Sequence, residues 1–194
     1  MGILIVGIVL FVGTHLLTTR RAMRARLIGR LGANGYKGLY SMLAMAGFVL
    51  LIVGFGRYRE AGFIEIWAPP RWLTHVSFAL LLPVFPLLIA AKRACWITAT
   101  TRHPMMLAVK LWALAHLLVN GDLGSILLFG SLLLWAGYAR GTMRDRESAE
   151  GAAPAPAAPF GKVDVMALAG GLALYAVFAK YLHPLLIGVP VVGV

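Results

Sequence analysis

The chain has 194 residues, of which 60% are hydrophobic and only 13% charged. Soluble domains carry about a quarter charged residues to solvate their surface, so a conventional soluble domain is excluded and most of this surface must meet lipid. The formal charge of +11 does not point to nucleic acid. The basic segments lack the interleaved aromatics that stack bases, and membrane chains concentrate Lys and Arg in cytoplasmic loops.

Six apolar stretches approach the roughly 20 residues that cross the hydrocarbon core. They predict one all-α domain over residues 1–194, a polytopic transmembrane bundle of about six helices. The first runs from Ile3 to Thr19. Arg20 and Arg21 follow it, no basic residue precedes it, and no small-residue cleavage site ends it, so it reads as a retained helix and not as a signal peptide. The second covers Leu39 to Gly56, the third Leu73 to Ala91, and the fourth His103 to Asn120. Asn120-Gly121-Asp122 is a strong turn signal, making the fourth and fifth helices an antiparallel hairpin. The fifth runs from Leu123 to Ala139, and the sixth from Val165 to Leu182, ending before His183-Pro184. An Ala/Pro linker over residues 148–161 joins the last two, with too little side chain to pack. The lone cysteine, Cys95, permits neither an internal disulfide nor a cysteine-based metal cluster.

Loop charge sets the expected orientation. Arg20, Arg21, Arg24, Arg26, Arg30 and Lys37 follow the first helix without an acid among them. Lys92, Arg93 and Arg102, then Arg140, Arg144, Arg146 and Lys162, recur on the same side. The opposite loops hold Arg57, Arg59 and Arg71 diluted by Glu60 and Glu65. Positive residues favour the cytoplasm, which places both termini on the non-cytoplasmic side. The expected location is a bacterial-type inner membrane.

An ionisable side chain at bilayer depth costs about 2.5 kcal/mol or more, so each needs a partner or a purpose. His15, His103, Lys110 and His116 fall inside predicted spans, while His75 lies near the watery end of the third. His15 sits one turn before its helix's basic end, with Thr18 and Thr19 on the same face; it is either hydrogen-bonded to a neighbour or a metal ligand. In the fourth helix, His103 and Lys110 share one face, and Trp112, His116 and Asn120 another. A helix polar on two sides belongs at the centre of a bundle. Packing and capping would account for Trp112 and Asn120, and Lys110 calls for an anionic partner. Pro104 suits a first helical turn. Arg102 and His103 beside it, with the first-turn N–H groups, form a candidate anion or carboxylate site.

The block Thr101-Arg-His-Pro-Met-Met-Leu-Ala-Val-Lys-Leu-Trp-Ala-Leu-Ala-His-Leu-Leu-Val-Asn-Gly-Asp122 resembles the NnrU family signature. So do Phe11-Val-Gly-Thr-His15, Leu39-Tyr-Ser41, Leu51 to Gly56 and Trp67-Ala-Pro-Pro70. The resemblance covers essentially the whole chain and extends to the plant 15-cis-zeta-carotene isomerases, which are haem b membrane enzymes. It implies axial histidines at His15 and His116, hence haem b as cofactor. A cysteine that the isomerases carry one turn before the second histidine is Ala113 here, which removes the thiolate. Measured from the outer helix ends at 1.5 Å per residue, the two histidines differ in depth by about 12 Å, which a haem lying fairly flat in the membrane would accommodate. Lys110 or Arg102 would then meet the propionates, Trp112 would pack along the macrocycle, and Asn120 or Asp122 would orient the second nitrogen of His116.

Three functional classes follow. The first is a haem b membrane protein with a redox, nitric-oxide or denitrification-related role, or one acting on an isoprenoid like the isomerase, so that its partners are the bilayer and a hydrophobic or gaseous small ligand. The second resembles the isoprenylcysteine methyltransferases, whose cofactor helix also opens Arg-His-Pro, although Met106 stands where they have tyrosine. The third is a cofactor-free assembly or regulatory factor for nitrite or nitric oxide reductase, its histidines structural or binding copper transiently with Met105 and Met106. Whether the chain turns over a substrate is left open by the sequence.

Overall fold

The computed structural model describes residues 1–151 and 158–191, so the middle of the Ala/Pro linker lies outside the described residues. Helix α1 (Gly2–Thr19) passes at Arg20 directly into α2 (Arg21–Glu60), whose mostly exposed first segment leads to a kink at Gly32 where the chain turns back. The basic run after α1 is therefore helical, and α2 begins at Arg21 where the sequence pointed to Leu39. Arg, Ala, Met and Leu are all good helix formers, and hydropathy, which located the span, does not register that. Gly32, at φ 71 and ψ 165, breaks α2 sharply, a conformation that glycine adopts without steric cost. Beyond the kink α2 lies against α1 at very short range. A Cβ added at Gly54 would sit 2.5 Å from Leu4 N, and one at Gly47 2.7 Å from Phe11 N. In lipid, such close backbone approach replaces the hydrophobic drive for helix association.

The third span is two segments, α3 (Leu73–Leu81) and α4 (Val84–Ala90), separated at Pro83, which has no N–H to continue the ladder. A short helix, α5 (Trp96–Thr101), precedes α6 (Pro104–Val119), with His103 and Asn120 as the flanking caps of α6. Its 16 residues span about 24 Å, and it packs against α3, α4 and α7. The central position expected for a helix polar on two sides is the one it occupies. Helix α7 (Leu123–Ala149) runs well past the expected stop at Ala139, and α8 (Lys162–Val177) starts one turn before Val165. Nor does His183-Pro184 end the last helix: a π-helical turn (Phe178–Leu182) leads into α9 (His183–Ile187), with Pro184 in its first turn. The π turn is where the ladder widens ahead of a proline that has no N–H to give it.

Five helical segments are long and apolar enough to cross a membrane: Gly2–Thr19, Arg21–Glu60, Leu73–Ala90, Leu123–Ala149 and Lys162–Ile187. The sixth, α6, is shorter. Val9, Met42, Leu134 and Met166 are 61–75% exposed, a distribution suited to lipid. This is a multi-pass helical membrane protein.

Contacts sort its two ends. At the basic end, Arg146 donates to Thr19 O, Arg21 pairs with Glu150 at 2.6 Å, and Arg140 Nη2 donates to Thr101 O at 3.1 Å. At the opposite end the loop after α2 folds onto the α6–α7 turn. Ile66 N donates to Gly121 O at 2.9 Å, and Leu123 N to Ile64 O at 2.9 Å. A Cβ at Gly121 would fall 1.7 Å from Trp67 O, so this turn tolerates only glycine. Asp122 accepts from Ser125 N at 2.9 Å and caps α7, as the turn signal requires.

Candidate functional site

The two span histidines are held in the same way. His15 Nδ1 lies 2.7 Å from Phe11 O, and His116 Nδ1 lies 2.7 Å from Trp112 O. Each bond reaches back four residues along its own helix to an acceptor that can only receive a proton. Nδ1 is therefore the N–H nitrogen in both rings, and in the neutral tautomer Nε2 is the nitrogen with the lone pair. A carbonyl that fixes the tautomer and leaves the other nitrogen basic is the usual support of a ligating imidazole.

Aromatic side chains surround both rings. His15 is 4.2 Å from the Phe11 ring, 5.7 Å from Tyr40 and 5.2 Å from Trp135. His116 is 5.0 Å from Trp112 and stacks on Phe129 at 4.7 Å and 26°. Phe129 and Trp135 both belong to α7, which packs against α1 on one side and α6 on another. Six residues along a helix amount to about 9 Å of rise and 120° of turn. The imidazoles therefore flank α7 at two depths. Phe11, Trp112, Ala113, Phe129, Leu132 and Trp135 join into a single apolar cluster along that seam. Trp135 Nε1 is buried in it without a hydrogen-bond partner, which is uncommon for an indole.

The remaining sequence candidates divide. Trp112 belongs to the seam and supplies the acceptor for His116. Asn120 does not orient that ring: its Nδ2 donates to His116 O at 2.7 Å, capping α6, and the orienting role falls to Trp112 O. Asp122 is likewise occupied as the cap of α7. Lys110 is half-buried on α6 and has no ion-pair partner among the described residues. Arg102 and His103 lie at the basic end, about 20 Å along α6 from His116. Both turn to Glu147 of α7, His103 Nε2 at 3.2 Å and Arg102 at 3.9 Å. The His103 contact has ion-pair distance but not hydrogen-bond direction, since Nε2 has no geometrically satisfactory partner. Met105 and Met106 are 42% and 9% exposed and turn to different surroundings.

Three residues that the sequence did not single out matter here. Phe129 and Trp135 lay hidden in a Leu-rich helix whose apolar face gave no reason to prefer them. Asp164 is an acid buried within the first turn of α8, one residue ahead of the start expected at Val165. Its carboxylate accepts from Ile97 N at 2.9 Å, Gly161 N at 3.0 Å and Trp96 N at 3.3 Å, tying α8 to the start of α5. An acid three residues after Gly161 is a helix-start signal, obscured by placing that start at Val165.

No group of three or more His, Cys, Asp or Glu side chains is placed to hold a metal ion among the described residues. Fold and site together define a polytopic helical membrane protein with a pair of oriented histidines on one aromatic seam. The family model described as NnrU protein matches residues 3–191, and the chain belongs to that family. No curated protein and no solved structure matches it.

Proposed function

We propose that this NnrU-family protein binds haem b in the membrane, with His15 and His116 as axial ligands. The observation that carries the reading is the shared anchoring of the two rings, each with Nδ1 bound to the carbonyl four residues back and Nε2 left as a donor. His15 and His116 touch α7 at Trp135 and Phe129, which are separated by about 9 Å of helical rise, so the two residues that would hold the group both lie along that helix. Phe11, Trp112 and Phe129 offer flat apolar surface to a macrocycle, and Lys110 is a cation at bilayer depth in want of an anion, which a propionate would supply. Haem iron contributes one-electron chemistry and binding of small gases, tuned by its axial ligands and their surroundings. The chain's own part is to hold both tautomers, keep water out with aromatic side chains, and present the site to the hydrocarbon. A hydrophobic isoprenoid or a dissolved gas such as nitric oxide reaches such a site through lipid. A role in redox handling, denitrification or isoprenoid isomerisation fits this arrangement, in a bacterial-type inner membrane with the basic end cytoplasmic.

A second reading is favoured by one contact. Phe129 stacks directly on His116, and a cofactor-free assembly or regulatory factor for nitrite or nitric oxide reductase would keep that stack closed. Purification in detergent after expression with ample haem separates the two. The haem reading predicts a Soret band and a pyridine haemochrome of the b type, with haem content reduced at least severalfold in His15→Ala and in His116→Ala. A colourless, well-folded wild-type protein would leave the second.

A further inference from the structure

Away from the histidine pair, the Gly32 kink builds a second site at the basic end. Arg24 and Lys37 are thirteen residues apart and would lie about 20 Å apart along a straight helix. With Gly32 at positive φ they line one cleft of about 420 Å³ with Thr18, Tyr36, Tyr40 and Ser41. The Arg24 guanidinium stands 5.8 Å from the centre of the Tyr36 ring. Tyr36 is 6% exposed, and its hydroxyl is buried without a hydrogen-bond partner. Neither Arg24 nor Lys37 is paired with an acid among the described residues. Two free cations and several hydroxyls around one space make a receptor for a compact oxyanion, since charge-assisted bonds from Arg and Lys suit phosphate. The cleft opens where α1 ends, at the basic end where anionic headgroups gather, and beyond it α2 exposes Met42, Met45, Val49 and Ile52 to the surroundings. A phosphate held here would lie at headgroup depth, with its acyl chains in the lipid beside the bundle.

We infer that this cleft binds a phosphate group, supplied by the headgroup of an anionic lipid in the leaflet at the basic end. The test is native mass spectrometry of the full chain released from detergent micelles doped with dioleoylphosphatidate or dioleoylphosphatidylcholine. Wild type is expected to retain one phosphatidate with at least about tenfold preference over phosphatidylcholine, the size of one charge-assisted hydrogen bond. Arg24→Ala/Lys37→Ala should abolish the preference, and so should Arg24→Gln/Lys37→Gln, which keeps most of each stem. Tyr36→Phe should weaken retention severalfold. Arg26→Ala/Arg30→Ala, on the same basic run but outside the cleft, should change it by less than about twofold. Circular dichroism and gel filtration confirm folding of each variant. Displacement of the lipid by millimolar inorganic phosphate would make the free anion sufficient; resistance to it would assign the site to the intact lipid. Equal loss in the Arg26/Arg30 pair, or no preference in the wild type, overturns the inference, because diffuse surface charge would then account for everything.

Discussion

An imidazole in hydrocarbon is expensive unless one nitrogen is satisfied and the other is used. His15 and His116 meet the first condition identically, through Phe11 O and Trp112 O. His103 is placed differently: it stands at the N-cap position of α6 without a side-chain cap bond, and faces Glu147. Its replacement should therefore affect stability and leave the seam untouched. A stricter residue-scale test lies at Asp164, whose carboxylate accepts three backbone N–H groups in a buried position. Asp164→Ala orphans those donors, and orphaned buried donors are costly. The variant should unfold several degrees lower than wild type in a detergent thermal scan, with Asp164→Asn intermediate because its amide oxygen still accepts. Equal melting of all three would show that the carboxylate anchors nothing. The histidines were legible in the sequence because a polar group in an apolar run stands out. Trp135 and Phe129 were not, since an aromatic in an apolar run does not.

Single helix junctions carry two further expectations. Arg102 has φ 60 and ψ −50, and His103 N donates across it to Thr101 O at 2.7 Å, forming a γ-turn that only glycine enters without strain. Such strain costs of order 1–3 kcal/mol, while the exposed Arg102–Glu147 pair at 3.9 Å contributes little. Arg102→Gly should accordingly raise the midpoint of thermal unfolding, and a lowered midpoint would mean that the Glu147 contact outweighs the backbone. Where α1 crosses α2, Gly54→Leu should do the reverse, because even a Cβ there meets Leu4 backbone at 2.5 Å. Loss of folded protein on gel filtration is the expected result, and wild-type yield and melting would refute the close crossing. The sequence marked the positions of these helices through the length of their apolar runs. It did not mark where they end: the charged close of α7 and the basic opening of α2 are helical through the propensity of their residues, which hydropathy cannot register.

Across the whole molecule, the contacts divide the chain into a basic end and a loop-capped end, with Leu4 near Gly54 and Ile187 O bound by Arg59 at 2.9 Å, both at the latter. The excess of Lys and Arg should hold the basic end in the cytoplasm. Fusions of alkaline phosphatase after Gly62 should be active and those after Gly151 inactive, with fluorescent-protein fusions showing the inverse; the opposite pattern would reverse the orientation. The long apolar helices and the gathering of Lys and Arg toward one end were readable from apolar length and loop charge alone. The placement of Arg102 and His103 was not, because the Glu147 that claims them lies more than forty residues away, and local spacing pointed them at a ligand instead. In the haem-bound protein proposed above, His15 and His116 would hold one iron beside α7. Low-temperature electron paramagnetic resonance of the ferric protein tests it most directly. The account predicts a low-spin, bis-imidazole signal in the wild type, converted to high spin or lost in each single His→Ala variant. A wild-type protein without haem after expression with ample haem, or a low-spin signal unchanged when either histidine is removed, would contradict it.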